Sequence, residues 1–119
     1  MAVVKLFTYG TLTRRHRLEA LCGRPLTGEP EKAELVGFAR YDTGHGYPMI
    51  LPQAGGRVEG LLWDVDEADL TQIDHYEGAD EDPPYYFRSA VEASAGGGAV
   101  AAVAYIGNPK VYARLVGGT

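Results

Sequence analysis

The chain has 119 residues, 45% of them hydrophobic and 23% charged, which suits one globular domain spanning residues 1–119 and excludes the disordered and collagen-like classes. A net charge of −5 lacks the basic excess that a nucleic-acid backbone or an anionic membrane surface demands, so neither is expected as a partner. The single cysteine, Cys22, cannot close an internal disulfide, and the apolar run from Met1 to Phe7 is too short for a signal peptide or a membrane span, so a cytoplasmic protein is expected.

Val3 to Tyr9 is rich in β-branched and aromatic residues and stops at Gly10, the pattern of a buried strand entering a turn. Thr13 is placed to cap a short helix with Leu18, Leu21 and Cys22 at helical spacing, ended by Gly23 and Pro25. Cys22 reads there as a small apolar residue, since His16 is nearly two turns away and offers it no base. Ala33 to Tyr41 is a second strand, interrupted at Gly44 to Pro48 before the apolar patch Met49 to Leu51. Gly55-Gly56 then predicts a hairpin turn into a strand over Val58 to Val65. Asp66 opens a capped helix that Gly78 stops. Tyr85 to Ala93 and Ala99 to Ile106 form a last hairpin across Gly96-Gly97-Gly98, and a short helix follows Asn108-Pro109 as far as Gly117. About five strands, mostly joined by hairpins, predict a largely antiparallel sheet.

Two places carry candidate chemistry. Steps of three and four residues from Leu70 and Ile73 lead to Glu77, so a carboxylate ends the apolar stripe of its helix. Partial burial would raise its pKa toward neutrality, as a group that both takes and gives a proton requires, whereas a frayed helix end would turn it to solvent. Tyr9-Gly10-Thr11-Leu12 lies between a strand and a helix, where its N–H groups could converge on an anion or a developing oxyanion, or form a plain connecting turn. The loop lacks the glycines and lysine of a nucleotide-binding loop. His16, His45 and His75 have no ligand spacing, and Asp80-Glu81-Asp82 does not fit a calcium loop, so neither metal nor cofactor is expected.

Taken in order, Leu6-Phe7-Thr8-Tyr9-Gly10-Thr11-Leu12, Tyr47-Pro48, Val58-Glu59-Gly60, Ile73-Asp74-His75-Tyr76-Glu77-Gly78 and Tyr86-Phe87-Arg88 resemble the γ-glutamylcyclotransferase-like, or AIG2-like, superfamily. The resemblance runs from Leu6 to about Ile106. It implies an α+β fold, a mostly antiparallel β-barrel of five or six strands with short flanking helices, and a ligand cavity between the first loop and the glutamate. It also implies release of an amine or amino acid from a γ-glutamyl amide, with formation of 5-oxoproline. The family's substrate-holding loop falls on Tyr9, Gly10, Thr11 and Leu12, its acid/base on Glu77, and a pocket-lining aromatic on Tyr86. The expected partner is thus a small γ-glutamyl molecule, bound by a monomer or a weak homodimer. The competing readings are a non-catalytic ligand-binding module of the same fold and an interaction domain that displays Tyr41, Tyr47, Trp63, Tyr85 and Tyr86.

Overall fold

In the computed structural model, which describes residues 2–117, five strands and three α-helices follow one another in chain order. They are β1 (Val3–Thr8), α1 (Arg15–Cys22), β2 (Glu31–Asp42), β3 (Pro48–Asp66), α2 (Leu70–Glu77), β4 (Tyr86–Ala95), β5 (Gly98–Gly107) and α3 (Pro109–Gly117). Short 3-10 turns at Thr11–Thr13 and Glu67–Asp69 precede α1 and α2.

The strand order is β1-β3-β2-β4-β5, and the two end strands meet in parallel at Leu6 and Val103, so the sheet closes on itself. Four of the five pairings are antiparallel, as the hairpin-rich sequence predicts. The sheet is nonetheless mixed, because β1 and β5 run the same way and the long crossover that a parallel pair needs is supplied by everything between them.

Gly55-Gly56 does not reverse the chain. It lies inside the long β3, opposite a register shift where Val36 pairs with Arg57 but Phe38 pairs with Pro52. Gly55 adopts φ +77°, and a Cβ on Gly56 would stand 2.4 Å from the Phe38 carbonyl oxygen, so the two glycines form a bulge that bends the strand. The β2–β3 reversal occurs earlier, between Asp42 and Pro48, where the Thr43 hydroxyl donates to the Tyr47 carbonyl at 2.6 Å. The Gly96–Gly97 hairpin does form as expected: both residues have positive φ, which matches the twist of the strands they join.

Side-chain alternation along the strands builds two cores. Phe7, Leu62, Ala102, Ala104 and Ile106 belong to a cluster of strand residues, joined by Tyr9 of the following loop, that fills the barrel interior. Their neighbours Leu6, Trp63, Val65 and Tyr105 face the other way and pack with Leu18 of α1, Leu70 and Ile73 of α2 and Val111 of α3. Helices of eight or nine residues are not stable alone, so burial of these anchors, at about 1.5–3 kcal/mol per large aliphatic side chain, is what holds them. Gly60 permits the tightest crossing: a Cβ there would stand 2.2 Å from the Thr8 carbonyl oxygen and 2.6 Å from the Phe7 ring.

Helix boundaries follow the cap signals with one exception. Asn108 accepts the Lys110 N–H at 3.1 Å, and Gly78 ends α2 in the left-handed region. Asp66 opens the α2 region, where its N–H donates to Asp69 Oδ2 at 2.9 Å, and Arg24 clamps the same carboxylate at 2.8 and 2.6 Å. Thr13 does not cap α1; its hydroxyl donates back to the Gly10 carbonyl at 2.6 Å and tightens the preceding turn. Cys22 is half-buried against the helix-side core, and burial pushes its thiol up to about 11, the state of an inert packing residue. Among the described residues, no helix is long and apolar enough to cross a membrane.

Candidate active site

The two motifs far apart in sequence meet in space. A chamber of about 40 Å³ is lined by Tyr9, Gly10, Thr11 and Leu12 on one side and by Glu77, Tyr86 and Tyr105 on the other, with Tyr47 and Pro48 closing it. A water needs roughly 10–15 Å³ measured in this way, so the chamber takes a small polar group rather than a whole ligand. It opens onto an outer groove of about 590 Å³ that shares Thr11, Tyr47, Glu77 and Tyr86 with it.

Glu77 reaches this chamber because α2 lies on the sheet through Leu70 and Ile73, and the next step along the same face is the last residue of the helix. The helix is pinned further by Asp74, which accepts the Tyr105 hydroxyl at 2.6 Å and meets the Arg88 guanidinium at 3.1 Å. Glu77 is partly buried, and among the described residues no cation pairs with it. Loss of water around the carboxylate, with no opposing charge, pushes its pKa from 4.5 up to about 7.

The opposite wall is held rigidly. The Tyr9 hydroxyl donates to the Tyr105 carbonyl at 2.6 Å, and the Tyr9 carbonyl accepts from Arg40 Nη1 at 3.1 Å. The Trp63 indole donates to the Thr8 hydroxyl at 3.0 Å, fixing the end of β1. Gly10 then passes so close to Pro48 that a Cβ would stand 3.1 Å from the proline ring. Thr11 and Leu12 open a 3-10 turn, and the leading N–H groups of such a turn have no intrahelical acceptor. Leu12 itself is buried in the helix-side core, so its side chain supplies packing and no polar contact.

Tyr86 is buried, and its hydroxyl donates to the Pro48 carbonyl at 2.7 Å, which ties β4 to the start of β3 beside the loop. Burial above all holds the Tyr9, Tyr86 and Tyr105 hydroxyls well above the usual phenol range, followed by the Glu77 charge at Tyr9 and by the hydrogen bond to Asp74 at Tyr105, so all three are neutral. Across the mouth, the Thr11 and Tyr76 hydroxyls share a hydrogen bond of 3.0 Å that joins the loop to α2 one residue before Glu77.

All six residues singled out in the sequence, Tyr9, Gly10, Thr11, Leu12, Glu77 and Tyr86, therefore line one chamber. Sequence reasoning did not single out Tyr105, Asp74 or Thr8 for the site. Tyr105 carried a usable signal, an aromatic residue in a late strand with its cross-strand partner Arg88 next to the Tyr86 motif. Trp63 and Tyr86 are buried, which removes two of the five aromatics that a surface-display reading relied on. Among the described residues, no three His, Cys, Asp or Glu side chains are grouped as a metal site would need.

Known structures share this architecture. A solution structure of an Arabidopsis thaliana protein superposes with a TM-score of 0.76 at 26% identity, covering 92% of this chain and 72% of that one. An AIG2-like protein from Mus musculus gives 0.68 at 25% identity, covering 92% and 82%. A structure described as a gamma-glutamyl cyclotransferase gives 0.75 at 18% identity, covering 97% and 76%, which speaks for the fold alone. A comparison with curated protein sequences finds no match. The family model described as gamma-glutamyl cyclotransferase, AIG2-like, matches residues 6–116. With nearly the whole chain matched and the loop and the glutamate facing one another across a single chamber, the protein belongs to the γ-glutamyl cyclotransferase, AIG2-like family.

Proposed function

We propose that the protein is a γ-glutamylcyclotransferase-type enzyme that releases an amine or amino acid from a γ-glutamyl amide and forms 5-oxoproline. The observation that carries this reading is a partly buried carboxylate, its pKa pushed up to about 7 and without a cationic partner among the described residues, facing the Tyr9 to Leu12 loop across a small chamber. A γ-glutamyl amide brings its own nucleophile, so the site needs a proton carrier and an oxyanion partner rather than a serine or cysteine.

In this reading the γ-carbonyl and the α-amine enter the chamber, and the leaving portion lies in the outer groove. The α-amine titrates near 8 in model peptides, so it must shed a proton before it attacks. Glu77, whose burial raises its pKa toward neutrality, accepts that proton in its ionised form. The neutral amine nitrogen then bonds to the γ-carbon, the oxygen becomes an oxyanion within reach of the Gly10 to Leu12 N–H groups, the ring nitrogen gives up its extra proton to solvent, and the bond from the γ-carbon to the leaving nitrogen breaks as Glu77 returns the first proton to that nitrogen. Tyr9 and Tyr86 stay neutral and shape the wall. Holding the flexible glutamyl chain in its ring-closing conformer supplies the proximity term.

Incubation with a panel of γ-glutamyl amines and γ-glutamyl amino acids, assayed for 5-oxoproline and for the freed amine in equal amounts, tests the proposal. Hydrolysis to glutamate instead of cyclisation, or silence across the panel, would refute it.

A further inference from the structure

Ring closure as set out above takes two protons off the attacking nitrogen, and one carboxylate carries only one of them. Glu77 keeps the first until the leaving nitrogen takes it, so the second needs another way out of the chamber. Hydroxyl groups on the chamber wall are the carriers at hand, and most of them are committed. Tyr9 donates to the Tyr105 carbonyl at 2.6 Å and Tyr86 to the Pro48 carbonyl at 2.7 Å, and a carbonyl oxygen passes no proton onward. Tyr105 donates to the Asp74 carboxylate, which Arg88 already holds at 3.1 Å. Thr8 is buried and accepts from the Trp63 indole at 3.0 Å. Tyr47 is bonded through its carbonyl, and among the described residues its hydroxyl meets no partner from which a chain could run.

Thr11 differs. Its Oγ1 stands 3.0 Å from the Tyr76 hydroxyl, and either oxygen can donate. Each member of such a pair both gives and takes a proton. The pair also leads outward. Thr11 borders the chamber and the outer groove, whereas Tyr76 borders the groove without lining the chamber and is 43% exposed, on α2 one residue before Glu77. When the leaving portion occupies the groove it displaces free water from the mouth, and the fixed pair keeps a path to solvent open.

Resting on the cyclotransferase reading above, we propose that Thr11 Oγ1 and the Tyr76 hydroxyl form the proton exit of the chamber. Once the ring C–N bond has formed, the positively charged ring nitrogen gives its extra proton to Thr11 Oγ1. Thr11 passes its own hydroxyl proton to the Tyr76 oxygen, and Tyr76 releases its own to a water or buffer molecule. Both hydroxyls and the ring nitrogen end neutral, and the solvent holds one proton more. Thr11 meets the reacting nitrogen, and Tyr76 acts through Thr11.

The test is Tyr76→Phe, assayed with the γ-glutamyl amide that wild type converts fastest. The ring stays and only an exposed oxygen goes, so the fold is retained. At pH 7 kcat should fall by about 10- to 100-fold, at or below the low end of a positioned proton transfer, with KM little changed. Above about pH 8 the α-amine arrives neutral, one proton remains to be moved and Glu77 carries it, so the deficit should fade. The titratable groups around the pair are Glu77, His75, Glu81 and the tyrosines of the groove, with Arg14, Arg17, Arg40 and Glu59 across the Gly10 loop. They are common to wild type and variant, so the ratio of the two rates isolates the hydroxyl. Added imidazole should restore kcat in Tyr76→Phe by taking the proton directly. Thr11→Val should show the same deficit, Thr11→Ser should recover most of it, and the double variant Thr11→Val, Tyr76→Phe should be no slower than either single one, since both cut one path. A bond that only latches the loop to α2 gives instead a deficit that ignores pH and imidazole and falls on KM. That result, or a fully active Tyr76→Phe, overturns the relay and leaves the cyclotransferase reading standing. Absence of 5-oxoproline from wild type with every amide would sink that reading and the relay with it.

Discussion

Replacing Glu77 by glutamine separates the chemistry of this carboxylate from its place in the fold. A shift from 4.5 to about 7, at 1.36 kcal/mol per unit, means that ionised Glu77 costs the folded state about 3 kcal/mol. The sign follows from the raised value. Below pH 4.5 the carboxyl is protonated in both folded and unfolded chains and costs nothing; between 4.5 and about 7 the unfolded chain gives up its proton while the folded one keeps it, and stability falls across that window. Glutamine has no charge to desolvate, so Glu77→Gln should gain stability only as pH rises through the same window. With an unfolding entropy of about 2.1 cal/mol/K per residue, 119 residues turn 3 kcal/mol into about 12 °C as an upper bound. The unmet hydrogen bonds of a partly buried amide reduce this to roughly 5–10 °C. Thermal melts at pH 4 and pH 8 should therefore coincide within about 2 °C at the lower pH and diverge at the higher one. The same variant should lose about 10²- to 10⁴-fold in 5-oxoproline formation at pH 8, while the wild-type kcat/KM rises with pH through about 7 as the base ionises. A melting difference that ignores pH, or turnover that survives the substitution, would refute the reasoning.

Gly60→Ala forces a Cβ to within 2.2 Å of the Thr8 carbonyl oxygen, a backbone atom that cannot swing away, so denaturant unfolding should show a loss of about 3 kcal/mol or more. Tyr105→Phe removes the 2.6 Å donation to Asp74 and should cost about 1.5–3 kcal/mol by the same measurement, with a fall in activity as α2 loosens beneath Glu77. A Tyr105→Phe variant with wild-type stability would show that Asp74 is anchored by Arg88 alone. Prolonged EDTA treatment should leave turnover unchanged, since the described residues hold no metal-ligand cluster, and restoration of lost activity by zinc or manganese would show that the chemistry has been misassigned.

Much of the local structure was legible in the sequence because it depends on neighbours along the chain. The 3.6-residue step from Leu70 through Ile73 to Glu77, the Gly78 stop, the Asn108 cap and the Gly96–Gly97 hairpin are set by backbone sterics and hydrogen bonds within a few residues, and each appears where the pattern put it. The same pattern misled at Gly55-Gly56 and at Thr13. Two glycines permit a bulge as readily as a reversal, and only the pairing of β3 with β2 on both sides of the bulge decides which occurs. A threonine hydroxyl can accept from the first amides of a helix as a cap or donate back to the preceding turn, and the tight 3-10 turn gave Thr13 the Gly10 carbonyl.

The candidate site was half legible. The sequence by itself named the loop and the glutamate, but it left open whether Glu77 faces a pocket or solvent, because the last residue of a helix can do either. That was decided by the tertiary fold: Asp74 held by Tyr105 and Arg88 clamps the helix end, and closure of the sheet through β1 and β5 sets Tyr9 against Tyr105. The raised pKa of Glu77 is likewise a property of the assembled wall, since desolvation needs surrounding atoms from β1, β4 and β5 that lie far away along the chain.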